Sequence, residues 1–211
     1  MHSKLSRLSL CSCCEGGALI LAAGLWTVPG QGTVAFDAHP YFNGTNYSEL
    51  GITFSVIVPQ ASAYDYMGIV PGSLYLNLPR NSTPFMIWFQ QYNPYDYVAF
   101  SLANGSSFGL TSVQLADPNS PSLSAVPISF VGVLAGGSTV TNTFVTPGNN
   151  ANSFLTYPFT SAFSSGLVSV DIFATRWAMD NLVFTVPEPD TMSLLVIGLL
   201  AFAARKIKSQ S

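Results

Sequence analysis

The sequence predicts an all-β fold, a β-sandwich, for residues 36–186. Short segments of β-branched and aromatic residues alternate with Gly, Pro, Asn and Ser, and no long stretch has helical periodicity. A chain of 211 residues has room for one ordinary core once targeting segments are set aside. The predicted strands are Ile52–Val58, Ser73–Leu78, Phe85–Gln90, Val98–Leu102, Leu110–Leu115, Ile128–Leu134, Thr139–Val145, Phe154–Phe159, Leu167–Ala174 and Met179–Val186. This number of short strands favours two packed sheets.

The clearest predicted hairpin joins Ile128–Leu134 to Thr139–Val145. Gly136 and Gly137 lie between the two strands and can supply the positive φ angles of a tight turn. Threonines alternate along the second strand, which predicts one mainly polar face. The late strand Leu167–Ala174 also alternates, and its predicted inward residues are Val168, Val170, Ile172 and Ala174.

Residues 1–35 have the order of a secretory signal peptide. Lys4 and Arg7 precede the apolar run 18–26, and Pro29 and Gly30 then break any helix. Small residues before position 36 suit signal-peptide cleavage and place the expected start of the mature chain near Phe36. All three cysteines fall within the first 14 residues, so the mature chain is expected to have no disulfide.

Residues 187–211 predict a tail that is handled at a membrane. Prolines exclude its first residues from a helix or a central strand, and these residues are Pro187, Glu188 and Pro189. The apolar run Met192–Ala204 would reach roughly 20 Å as a helix, against about 30 Å of bilayer hydrocarbon. Positive charge that stays cytoplasmic follows at Arg205, Lys206 and Lys208. The body of the chain is therefore expected on the exported side.

The order of this tail, a PEP tripeptide, a short apolar helix and a basic end, resembles the PEP-CTERM sorting signal of Gram-negative bacteria. The resemblance implies recognition by exosortase, a membrane transpeptidase-like enzyme, after initial anchoring in the inner membrane. Members of this family are commonly linked to extracellular polysaccharide and biofilm. The alternative is a plain anchor helix behind a proline-rich linker.

Three later stretches resemble the carbohydrate-binding-like, jelly-roll domains often found ahead of such tails. They are residues 108–116, the Gly136-Gly137 hairpin and residues 177–184. The resemblance implies a galactose-binding-like β-sandwich over the last half of the body.

In galactose-binding-like sandwiches, an acid beside the last strand often helps to bind a structural calcium. Asp180, followed by Asn181, has that place here, and Asp37, Asn43 and Glu49 are the candidate early ligands. Calcium takes six to eight oxygen ligands, which carboxylates, amides and carbonyls could supply. The alternative is that Asp180 and Asn181 cap a turn.

The stretch 88–97 is a candidate glycan-binding site, because rings can cover apolar sugar faces while amides and carboxylates bind hydroxyls. Its candidate contacts are Tyr92, Tyr95 and Asp96. The alternative is that these side chains serve core packing and a turn.

Charge argues against nucleic acid as a partner, because residues 36–186 hold two basic residues against seven acidic ones. Catalysis has little support, since His39 is the one histidine after the leader and no hydrolase motif is present. The first hypothesis is therefore a non-enzymatic exported surface or matrix protein in a polysaccharide or biofilm setting. The alternatives are a carbohydrate-binding module with a defined glycan and a secreted glycan hydrolase using Asp65 and Asp96.

Overall fold

The computed structural model describes residues 30–39, 41–59, 67–72, 82–90, 94–118, 125–147 and 153–187. All of these belong to one compact unit, Thr27–Thr191. Several predictions lie outside the described residues: most of the leader, the strand Ser73–Leu78, the candidate residues Asp65 and Tyr92, and the tail from Glu188 onwards, with its predicted helix. Within the described part of the chain, no helix is long and apolar enough to span a membrane.

The described residues form short strands that are joined by turns, with one 3-10 turn at Ser161–Phe163. The strands are β1 (Gly30–Val34), β2 (Phe42–Gly44), β3 (Asn46–Glu49), β4 (Ile52–Ile57), β5 (Met67–Val70), β6 (Phe85–Phe89), β7 (Tyr97–Leu102), β8 (Gly109–Ala116), β9 (Val126–Leu134), β10 (Thr139–Thr146), β11 (Leu155–Pro158), β12 (Leu167–Phe173) and β13 (Arg176–Val186).

The described strands form two antiparallel sheets. The first sheet has the order β11-β8-β13-β6-β5-β2, and β1 also pairs with β13; the second has the order β10-β9-β12-β7-β4-β3. The chain crosses repeatedly between the sheets, for example from β6 to β7 and from β12 to β13. This architecture confirms the predicted all-β sandwich.

The core contains inward side chains from both sheets. Trp88 and Trp177 lie opposite each other on β6 and β13, and both are fully buried. From the second sheet, Phe54 and Phe100 are buried with ring centroids 5.2 Å apart. Strand alternation explains this arrangement, because every second residue of a strand faces the same side of its sheet.

The predicted β9–β10 hairpin is confirmed, with Val133 opposite Thr139 and a left-handed Gly137 (φ 82°) in the turn. The prediction for β12 was partly wrong. A register shift between Leu167 and Ser169 buries Leu167, whereas Val168 is only half-buried. A β-bulge inserts one extra residue, and so it changes which residues face the core.

The sandwich includes residues that the sequence placed in the leader. β1 lies before Phe36, the predicted first residue of the domain, and pairs with β13 from Gly30 opposite Val186 to Val34 opposite Leu182. Val34 and Phe36 are both fully buried. The described sandwich therefore starts at least six residues before the predicted boundary.

Candidate functional site

A cleft of about 320 Å³ lies where two connections cross between the sheets. One connection leads from β6 to β7, and the other is the turn from β12 to β13. The start of β9 supplies the remaining wall. The lining residues are Gln90, Pro94, Asp96, Val126, Pro127, Ser129, Phe173, Ala174 and Thr175. This volume is at the lower end of the range for small-ligand sites.

Gln90 fixes the polar side of the cleft. Its backbone N–H donates to the carbonyl of Thr175 (2.8 Å), which ties together the two connections. Its side-chain Nε2 donates to the carbonyl of Asp96 (2.9 Å), which holds the β6–β7 connection in place. Asp96 belongs to the cleft lining but is only 2% exposed, and both of its carboxylate oxygens are buried. The cleft therefore contains a positioned amide and a buried acid.

Phe173 forms the aromatic wall of the cleft on the second sheet, and Tyr97 packs against it from outside the lining. Phe173, at the end of β12, is 42% exposed and faces outward, and its ring lies 4.7 Å from that of Tyr97 on β7, tilted by 33°. Burial, and to a smaller extent the charge of Asp171, raises the pKa of Tyr97. The phenol is therefore neutral at physiological pH. Apolar ring surface and a hydroxyl lie side by side here.

Hydroxyl groups continue from the cleft onto the outer face of the second sheet. Ser129 of β9 lies opposite both Phe173 of β12 and Thr143 of β10. Its Oγ is 2.9 Å from Oγ1 of Thr143. The cleft thus opens onto a surface that can both donate and accept hydrogen bonds.

Of the three predicted glycan-binding residues, the structure describes Tyr95 and Asp96. Asp96 lines the cleft, and Tyr95 lies beside it in the same connection with 62% of its surface exposed. The sequence analysis missed Phe173, Ser129 and Thr175. The one local signal for Phe173 was an aromatic residue on the outward side of an alternating strand.

The candidate calcium ligands lie on different elements of the fold, and Asp37 and Glu49 both act on the Tyr47 hydroxyl. Asn43 is on β2 of the first sheet, Glu49 is on β3 of the second, and Asp37 lies in an exposed turn. Glu49 already accepts hydrogen bonds from the Tyr47 hydroxyl and from the backbone N–H of Ala35. Within the described ranges, no group of three or more His, Cys, Asp or Glu side chains could hold a metal ion.

Asp180 is fully buried inside β13, not in a turn before it. Its carboxylate accepts hydrogen bonds from Thr83 Oγ1 (3.2 Å) and from the N–H of Asn181 (2.7 Å). Asn181 has a left-handed backbone (φ 45°), and the register shifts between Asp180 and Val183. Asp180 therefore forms a side-chain-to-backbone hydrogen bond, as the alternative to calcium expected, and it does so at a bulge inside β13.

Arg176 and Asp117 form an ion pair that ties the start of β13 to the end of β8. Arg176 Nε lies 2.9 Å from Asp117 Oδ1, and Nη2 lies 3.0 Å from Oδ2. The hydrogen bond to Asp117 raises the pKa of Arg176, against the lowering effect of burial. The guanidinium is therefore held in a two-point contact beside the cleft residue Thr175.

Comparison with known families identifies the tail. Residues 185–208 match the PEP-CTERM protein-sorting motif. The match confirms the resemblance drawn from the sequence, and it indicates an exported protein that is sorted by exosortase. No curated protein matches the chain at a significant level.

Solved structures give distant likenesses. The chain is 12% identical to the CBM22-1–GH10 modules of Clostridium thermocellum endo-1,4-β-D-xylanase 10B complexed with xylohexaose (TM-score 0.38), covering 76% of this chain but only 28% of that one. It is 11% identical to the C-terminal family 22 carbohydrate-binding module of the same enzyme (TM-score 0.39), with 72% and 98% covered. The CBM22-1 xylan-binding domain of Paenibacillus barcinonensis Xyn10C is 8% identical (TM-score 0.37), with 74% and 94% covered.

Proposed function

We propose that this chain is a non-catalytic protein of the cell surface or extracellular matrix, structural or adhesive in an exopolysaccharide or biofilm setting. The observation that carries the proposal is the sorting motif at residues 185–208, which begins within the last two residues of β13. The sandwich is thus the part that sorting delivers. Its proposed extent is residues 30–186, between a leader and a processed tail.

Export and sorting follow one sequence of steps in this proposal. The leader directs the chain across the inner membrane of a Gram-negative cell. The apolar run 192–204 and the basic stop then hold the chain there until exosortase processes the tail. Positive charge on the cytoplasmic side fixes this orientation. Exosortase, the export machinery and extracellular polysaccharide are the proposed partners.

Processing can be tested by altering the PEP tripeptide in the native host. A variant with Pro187→Ala, Glu188→Ala and Pro189→Ala should accumulate at higher mass in the membrane fraction, as the unaltered chain should in a strain without exosortase. Asn104→Ala, in an exposed turn, is the matched control and should be processed normally. Normal processing of the triple variant would refute the proposed sorting step.

A more specific activity is favoured by the cleft. We propose that the cleft binds a glycan, with Phe173 covering an apolar sugar face and Gln90, Ser129 and Thr175 bonding to hydroxyls. The supporting observation is an exposed ring, stacked on Tyr97, beside these polar groups in one cleft. Ligand sites commonly combine apolar walls with a few placed polar groups in this way.

The position of the cleft suits a surface protein. β13 begins one residue after Thr175 in the cleft and ends at Val186, where the tail leaves the sheet. At about 3.3 Å per residue, its eleven residues separate the cleft from the tail by roughly 30 Å. The cleft and the residue after which the tail begins therefore lie at opposite ends of β13.

Glycan binding can be tested with two variants that remove exposed rings. Phe173→Ala should abolish binding to a polysaccharide array, because it removes the aromatic wall. Tyr41→Ala is the matched control, since Tyr41 is 76% exposed and lies outside the cleft lining. Equal binding by the two variants would contradict the assignment of the cleft.

A further inference from the structure

Acidic residues dominate the part of the chain that the structure describes. Arg176 is its one lysine or arginine, against six acids: Asp37, Glu49, Asp96, Asp117, Asp171 and Asp180. Asp117 binds the Arg176 guanidinium through two contacts of 2.9 and 3.0 Å. The one positive side chain among the described residues is thus largely balanced by Asp117.

Two carboxylates lie at or beside the cleft. Asp96 forms part of the lining. Asp171 lies two residues before Phe173 on β12, so both side chains point to the outer face of the second sheet. The charge of Asp171 also acts on Tyr97, the ring that stacks on Phe173. A ligand on Phe173 would therefore lie on the same outer face as the Asp171 carboxylate, close to the buried acid Asp96.

We infer that the cleft takes uncharged polysaccharides and rejects polyuronates. This inference rests on the proposed glycan binding and adds the class of glycan. Sites that recognise carboxylates normally present Arg or Lys, because these side chains supply charged donors. The described lining instead offers an amide, two hydroxyls and an acid, a set that suits sugar hydroxyls. Like charges placed together also disfavour the wrong partner.

The inference predicts a measurable ratio of affinities. Full-length protein in detergent would be tested by biolayer interferometry against hydroxyethylcellulose and a xylan free of uronic acid branches as neutral probes, and against polygalacturonate and alginate as acidic probes. EDTA would be present throughout, so that calcium cannot bridge carboxylates. The acidic polymers should bind at least tenfold more weakly than the better neutral polymer, and the gap should narrow in 1 M NaCl because salt screens the repulsion.

Asp171→Asn separates charge from shape. This substitution keeps the size of the side chain and leaves both rings in place, so binding of the neutral polymer should be unchanged. Binding of polygalacturonate should rise severalfold, because the negative charge on the outer face beside Phe173 is gone. Phe173→Ala should lose binding of every polymer.

Three outcomes would overturn the inference, and they can be told apart. If acidic polymers bind as tightly as neutral ones and Phe173→Ala loses this binding, the selectivity is refuted but a glycan-binding cleft is supported. Unchanged discrimination in Asp171→Asn would refute the assigned source of selectivity. Binding to no polymer would refute the proposed glycan binding itself, and the selectivity with it.

Discussion

Deleting Gly30–Ala35 should destabilise the sandwich strongly. This hexapeptide contains β1 and lies in the segment that the sequence assigned to the leader. Its strand pairs with the last five of the eleven residues of β13, with Gly32 opposite Phe184 and Val34 opposite Leu182. A Cβ on Gly32 would lie 2.6 Å from the Phe184 ring, so β1 packs closely over that ring. Deletion would expose this side of β13.

The expected loss can be estimated from individual contacts. Complete burial of Val34 contributes about 2 kcal/mol. The hydrogen bond from the Ala35 N–H to the Glu49 carboxylate contributes about 1.5 kcal/mol or more, since the acceptor is charged. The backbone hydrogen bonds of β1 contribute little net, because ordering costs about 1–2 kcal/mol per residue. We expect a loss of about 4 kcal/mol, a large part of the roughly 5–15 kcal/mol that stabilises a typical domain.

Urea denaturation of two forms of the domain would measure this loss, one starting at Gly30 and one at Phe36. A matched pair of substitutions isolates the contribution of the strand: Val34→Ala should cost about 2 kcal/mol, and Thr33→Ala, on the exposed side, less than about 0.5 kcal/mol. The mature protein from cells should correspondingly begin at or before Gly30. Equal stability of the two forms, or a mature protein that begins at Phe36, would refute the assignment of β1 to the domain.

Three further predictions follow from buried charges. Asp117→Ala should lower the free energy of unfolding by about 2–3 kcal/mol in thermal denaturation, because it leaves Arg176 without its two-point partner. If the losses in Asp117→Ala and Arg176→Met were fully additive in the double variant, this coupling would be contradicted. Burial raises the pKa of Asp171, so ionisation of this carboxyl group opposes folding. Asp171→Asn should therefore raise the Tm at pH 7, and this gain in Tm should disappear below the ordinary carboxyl pKa of 3.8. EDTA should leave the Tm unchanged, because Asp180 is held by protein hydrogen bonds. A calcium-dependent rise in Tm that is lost in Asp180→Ala would instead establish the metal site.

Strands with a strong local pattern could be predicted from the sequence, and weakly patterned ones could not. β9 and β10 alternate over eight or more residues and are joined by a glycine turn, so local information suffices. β1, with the sequence GQGTV, has little β propensity of its own. Its strand state depends on pairing with β13, about 150 residues away, and its Gly32 serves close approach to Phe184. Such long-range pairing has no signature within β1.

The cleft was only partly predictable for a similar reason. Asp96 was found because aromatic and polar residues cluster around it along the chain. Ser129 and Thr175 come from distant segments, and only the sheet order β9-β12-β7 and the β12–β13 turn bring them to Asp96. Phe173 belongs to an alternating strand, where an aromatic residue is as compatible with the core as with a binding surface.

The tail and the last strand share residues, and this overlap constrains where processing can occur. The sorting motif begins at Thr185, which pairs with both Gln31 and Gly109, while Val186 pairs with Gly30. Cleavage before Val186 would therefore remove at least the terminal pair, Gly30 with Val186, that β1 forms with β13. Cleavage beyond Pro187 would leave every described strand intact. Since Pro187 cannot continue the ladder of backbone hydrogen bonds, it ends the sheet where the tripeptide begins. We therefore expect exosortase to cut at a bond on the C-terminal side of Val186, so that the released domain keeps its fold and its cleft.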